Sequence, residues 1–202
     1  MLSHVRGRTL IVTAALVAAP ACSPAKSPGH RPSPGRTGPA VVQPGPDGPP
    51  ATAPAPLLPE PMPIPADSYA PEPIVEIGTM EIPAIGLRHR IFQGVTLHNI
   101  DLGPSLWTGS ALPGQMGNTV FAGHRTTNDQ PFRRIDELAP GDQVIFTIDG
   151  ARTTYRVTGH LVVSPADNWI ADQTTAFTGT LYACHPLGST AERYVVQMEM
   201  QR

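Results

Sequence analysis

Cysteine is almost missing from this chain: 202 residues hold two, Cys22 and Cys184. A disulfide-stapled framework is excluded, because such folds rest on several bridges. Charge is thin as well. Charged residues make up 15% of the chain, the formal net charge is −2, and no basic cluster carries interleaved aromatics. Nothing in that balance supports a nucleic-acid partner. The N-terminal apolar run, Leu10–Ala21, falls short of the roughly 20 residues that span a membrane as a helix. No fixed-period repeat is present, which excludes a solenoid.

Proline is plentiful but unevenly placed. Eighteen of the 25 prolines lie between Pro20 and Pro73, leaving seven for everything beyond. A stretch of that composition buries too little apolar surface to offset its ordering entropy. Residues 23–73 therefore read as a disordered, proline-rich tether, able to reach on the order of 150 Å if fully extended. Residues 74–202 remain for one folded domain, a suitable length for a single core.

Residues 1–22 read as an export segment. Arg6 and Arg8 precede the apolar run, and Ala19-Pro20-Ala21 has the small-x-small pattern of a cleavage site. Cys22 follows at once and is a candidate lipidation site. Three outcomes stay open: lipid attachment at Cys22, cleavage and release, or retention of the segment as a membrane anchor. Each places the folded domain outside the cytoplasm, at the outer face of the membrane or in the cell wall. In that compartment thiols are paired or omitted. Cys184 has neither fate by an obvious route, since its one possible partner lies across the tether. It is a buried inert thiol, a bridge to Cys22, or a reactive group.

From Ile74 onward the pattern changes to short β-like runs broken by turn residues. The runs are Ile74–Ile82, Leu87–Gln93, Asn118–Gly123, Val144–Ile148, Thr153–Val163, Thr180–Cys184 and Tyr194–Met200. Asp149-Gly150, between β-branched neighbours, predicts a two-residue hairpin. Short helical turns fit at Leu97–Leu102 and at Pro131–Leu138, where Phe132, Ile135 and Leu138 share a face. So many short strands with so little helix predict a mainly β domain. A closed or nearly closed barrel comes first and a sandwich second.

Chemistry concentrates at Thr180-Leu181-Tyr182-Ala183-Cys184-His185-Pro186. Alternation puts Thr180, Tyr182 and Cys184 on one face of a strand and Leu181 and Ala183 on the other. Pro186 ends the strand, because it cannot donate to a ladder. If the last two strands pair antiparallel, Arg193 comes opposite Cys184, where a guanidinium can brace an oxyanion. The thiol also needs a proton carrier. His185 is adjacent, yet neighbouring strand side chains diverge. His124 closes the run Asn118–Gly123 and stands at a strand end, so it leads the seven histidines.

Gly123-His124-Arg125, the run Thr180–Pro186 and Arg193 at the start of the last strand together resemble the sortases, most closely the actinobacterial class E group. The resemblance covers about Ile82 to Met200. It implies an eight-stranded sortase-type β-barrel with short helices, Cys184 as nucleophile, His124 as proton carrier and Arg193 as transition-state cation. It further implies cleavage of a Thr–Gly bond in a sorting signal of the LAxTG or LPxTG type. A thioacyl intermediate would then pass to an amine, typically of a peptidoglycan precursor. The partners so implied are sorting-signal-bearing surface proteins, that amine, and the membrane through the N-terminus.

Tyr182, Ala183 and Trp169 are the candidate substrate contacts, the last within the Ser164–Gly179 loop. Ala183 stands where the family usually carries Thr; the missing hydroxyl would weaken a substrate hydrogen bond by about 0.5–1.5 kcal/mol. Some sortases bind calcium near that loop, but Asp167 and Asp172 are too few hard ligands, and no metal or other cofactor is expected. Two other readings remain. An L,D-transpeptidase would need a Ser-His-Gly-Cys run, which Tyr182-Ala183 breaks. A non-catalytic exported lipoprotein would use the barrel to bind peptide or wall polymer.

Overall fold

The computed structural model describes residues 55–202; the export segment, Cys22 and the tether up to residue 54 lie outside the described residues. Eight strands follow in chain order: β1 (Val75–Ile82), β2 (Leu87–Gln93), β3 (Ser105–Leu106), β4 (Gly117–Ala122), β5 (Gln143–Ile148), β6 (Ala151–Val163), β7 (Phe177–His185) and β8 (Glu192–Met200). They close into a barrel in the order β1-β2-β3-β4-β7-β8-β6-β5. Closure removes the free sheet edges that would otherwise invite pairing with other chains. The β2–β3 and β4–β7 pairs are parallel and the rest antiparallel.

The predicted runs all become strands, with ends that move by up to three residues. β3 is the strand the pattern does not reveal. Two residues are too few to show a period. The Asp149-Gly150 hairpin forms as expected: Ile148 faces Ala151 in the ladder, and both turn residues have positive φ, 50° and 79°. That is the backbone a two-residue turn needs to match the strand twist. The Leu97–Leu102 stretch holds the one-turn helix α1 (Leu97–Ile100). Pro131–Leu138 is less helical than its periodicity predicts. Only Ile135–Glu137 forms a 3-10 turn, although Phe132, Ile135 and Leu138 are all buried.

Alternation sorts the apolar residues into two clusters. Inside the barrel, Phe121 stacks on Phe146 at 5.1 Å and Phe146 meets Tyr155 edge-on at 5.5 Å, with Leu181 and Ala183 in the same cluster. Their neighbours Val120, Ala122 and Tyr182 face the other way and pack with Trp107, Ile170 and Val195. Every residue of β4 is therefore buried, as expected for a strand covered on both faces.

The described residues ahead of β1, 55–74, form no helix or strand, yet they are attached. Met62 donates its N–H to Thr108 O and accepts from Trp107 Nε1, while Leu97 donates to Ser68 O. Glu72 accepts from the Thr96 N–H, Thr96 Oγ1 and Asn99 Nδ2. Proline-rich composition extends to Pro73, but from Met62 onward these bonds strap the chain across the barrel. Prolines cannot donate, so the attachments run through the non-proline residues and the carbonyls.

Candidate active site

Cys184 lies one residue from the end of β7, half-buried and with a free thiol. Across the β7–β8 ladder its direct partner is Arg193. On the other side β7 runs parallel to β4 with a constant offset, Gly117 opposite Phe177 through to Ala122 opposite Tyr182. The Gly123 N–H continues the ladder to Tyr182 O at 3.1 Å. Carried two residues past Ala122 and Tyr182, that register brings His124 level with Cys184. The thiol thus stands between an imidazole on one flank and a guanidinium on the other.

A cavity of about 750 Å³ opens over this row, and Cys184, His124 and Arg193 all line it. Of the candidate substrate contacts, Tyr182 and Ala183 line it too, whereas half-exposed Trp169 belongs to a separate cavity of about 350 Å³ over β6, β7 and β8. Burial pushes the Tyr182 hydroxyl far above its ordinary range, Arg193 offsetting part of this and Cys184 adding to it. At neutral pH Tyr182 therefore keeps its proton as a hydrogen-bond donor.

Local packing explains why Gly precedes His124. A Cβ at position 123 would collide with the Phe132 ring, and Phe132 in turn donates its N–H to His124 O at 2.9 Å. Only glycine lets the ring approach that closely. Arg193 is fixed differently: its Nη1 donates to the carbonyls of Thr190 and Glu192, both at 2.9 Å. Those bonds hold the charged head at the mouth of the cavity without neutralising it.

Arg125, next in sequence to His124, is buried to 2% exposure. It pairs with Asp136 at 2.8 Å, lies 5.7 Å from the Tyr194 ring centre, and meets His185 Nδ1 at 3.0 Å. Guanidinium has no acceptor, so Nδ1 of His185 must accept. The His185 ring also packs against Tyr194 at 5.5 Å and does not line the cavity. That agrees with the divergence expected of strand neighbours and leaves the His185 ring held between Arg125 and Tyr194.

Three features of the site escape a reading of the chain alone. Asp101 accepts from His124 Nε2 at 2.7 Å. Arg125 forms the buried brace just described. The strap contributes a wall through Ile64, Pro65, Ser68 and Tyr69, the last meeting His98 edge-on at 5.9 Å. Nothing in the spacing of Asp101 and His124 marks them as partners. Among the described residues, no three His, Cys, Asp or Glu side chains are grouped as metal ligands. No helix there is long and apolar enough to cross a membrane.

A thiol flanked by imidazole and guanidinium at one rim of an eight-stranded barrel defines a class, and comparison with known proteins agrees. The sortase domain model matches residues 80–201, and the chain belongs to the sortase family. It is similar to Sortase D of Bacillus subtilis, 28% identical over 133 residues, or 64% of this chain and 66% of that one. It is also similar to Sortase SrtE1 of Streptomyces coelicolor, 32% identical over 101 residues, 45% of this chain and 29% of that one. The chain thus spans less than two thirds of either relative. Among solved structures, the Sortase D5 transpeptidase of Clostridium perfringens is 30% identical with a TM-score of 0.58, over 63% of this chain and 79% of that one.

Proposed function

We propose that the protein is a cysteine transpeptidase acting on C-terminal sorting signals of the LAxTG or LPxTG type. The Cys184 sulfur attacks the Thr carbonyl, the C–N bond to Gly breaks, and the Thr acyl group becomes a thioester. His124 takes the thiol proton and gives it to the departing amine. It later removes a proton from the incoming amine, which expels the sulfur and forms the new amide. Arg193 offsets the charge on the carbonyl oxygen in both tetrahedral states. The incoming amine belongs to a cell-wall precursor. The enzyme works outside the cytoplasm, held near the membrane through its N-terminal segment and the proline-rich stretch.

The observation that carries this reading is the pairing of Cys184 with Arg193 across β7 and β8, with His124 two residues past the end of β4, the parallel neighbour of β7, and all three lining one cavity. Family membership supports the reaction type, and the sorting motif is the one implied by the class E resemblance that the Cys-His-Pro and Gly-His-Arg stretches carry. The test is cleavage of a peptide panel, LAxTG, LPxTG and a scrambled control, followed by mass spectrometry of the Cys184 adduct. A thioester on Cys184 with the motif peptides, absent with Cys184→Ala, is the expected result. Cleavage that persists in Cys184→Ala would remove the thiol from the reaction.

A further inference from the structure

We propose that Asp101 is a positioning residue that fixes the tautomer and orientation of His124, leaving Nδ1 as the working nitrogen. This rests on the reading of His124 as the proton carrier. Asp101 sits at the C-terminal end of α1, its N–H bonded to Leu97 O at 2.9 Å. Its Oδ1 lies 2.7 Å from His124 Nε2 and 2.7 Å from Asn128 Nδ2. Two donors thus converge on one carboxylate oxygen, while the end of α1 fixes the backbone that carries it.

An ionised carboxylate only accepts. Nε2 must therefore carry a hydrogen, and in the neutral ring the lone pair belongs to Nδ1. Among the described residues Nδ1 has no hydrogen-bond partner, and His124 lines the cavity with Cys184. A proton leaving the thiol can then be held at Nδ1 and returned from it to the amine, with Nε2–H staying on Asp101 throughout. The arrangement follows the logic by which a third group orients a base, with the two ring nitrogens exchanged. The pair is not deeply buried: the His124 side chain is 15% exposed and that of Asp101 35%. Its effect is therefore of tens rather than thousands.

The experiment has two readouts on the full chain, 15N NMR of the imidazole and steady-state cleavage of the motif peptides. In the wild type, Nε2 bears the proton and Nδ1 is the unprotonated nitrogen of the neutral ring. Asp101→Ala should release the ring to a mixture of tautomers and lower kcat about tenfold, with KM within about twofold. Asp101→Asn can turn its amide N–H toward the ring and favour the opposite tautomer, so it should not recover that loss. An unchanged tautomer in Asp101→Ala, or an unchanged kcat in an active enzyme, would overturn the proposal. If the wild type cleaves none of the peptides while Asp101→Ala still scrambles the tautomer, the reading of the reaction fails and the positioning of the ring stands.

Discussion

The two flanks of Cys184 are built by different means. On the Arg193 side, β7 and β8 are joined by the short connection 186–191, and the antiparallel ladder sets Cys184 opposite Arg193. On the His124 side, β4 and β7 are parallel neighbours separated by two other strands in the sequence, and the imidazole stands just beyond the end of β4. One flank is placed by a local register, the other by a long crossover and by packing of Gly123 on Phe132. A ladder position tolerates changes of side chain. A packed turn does not.

The sharpest way to test that contrast is Arg193→Lys, which keeps the position and the charge but loses the planar fork. The loss in kcat/KM should be about a hundredfold, with a melting temperature within about 2 °C of wild type. Loss of stability as well would mean that the β8 start depends on its side chain and not on the register. Gly123→Ala makes the opposite change, leaving every reacting group intact and disturbing only the turn. The added Cβ has no room, so the protein should lose about 1–3 kcal/mol of stability, and kcat should fall by about tenfold as His124 is displaced. Denaturant unfolding and peptide cleavage on the same sample would read both.

The smallest effect is expected at the strap. Burial alone would raise the Glu72 carboxyl, but hydrogen bonds from Thr96, from Asn99 and from the Val95 backbone outweigh it and hold it below its ordinary value. A carboxylate depressed on folding contributes stability above its unfolded value and loses it as pH falls through the folded one. The strap should therefore loosen on acidification below about pH 4.5. Hydrogen exchange at Leu97, whose N–H is held by Ser68 O, should report this. Glu72→Gln should be less protected at neutral pH, with a protection factor, taken relative to the intrinsic exchange rate at each pH, that no longer varies with pH; a protection factor that still varies in Glu72→Gln would place the titrating group elsewhere.

The comparison of flanks also shows what a one-dimensional reading reaches. Cys184 and Arg193 are legible because strand alternation and a short connection fix their relation. The barrel is legible from short runs, turn residues and scarce helix, with the family resemblance supplying the number of strands. β3 is not, because two residues show no period. Asp101 is not, because its partner is brought to it by the β2–α1–β3 crossover and not by spacing. Trp169 shares a loop with buried Ile170, yet the 3-10 turn at Asn168–Ala171 leaves it over a different cavity.

Determined by the sequence alone are the single cysteine of residues 74–202, the alternating strands that can carry it to a rim, and the crowding of proline ahead of residue 74. These follow from local chemistry: side-chain period, turn backbone and composition. Decided only by tertiary structure are the parallel meeting of β4 with β7, the carboxylate beside His124, the Arg125 brace under His185 and the strap that walls the cavity. Each joins residues far apart in the chain, and such contacts form only where closure of the whole sheet offsets the entropy of bringing them together.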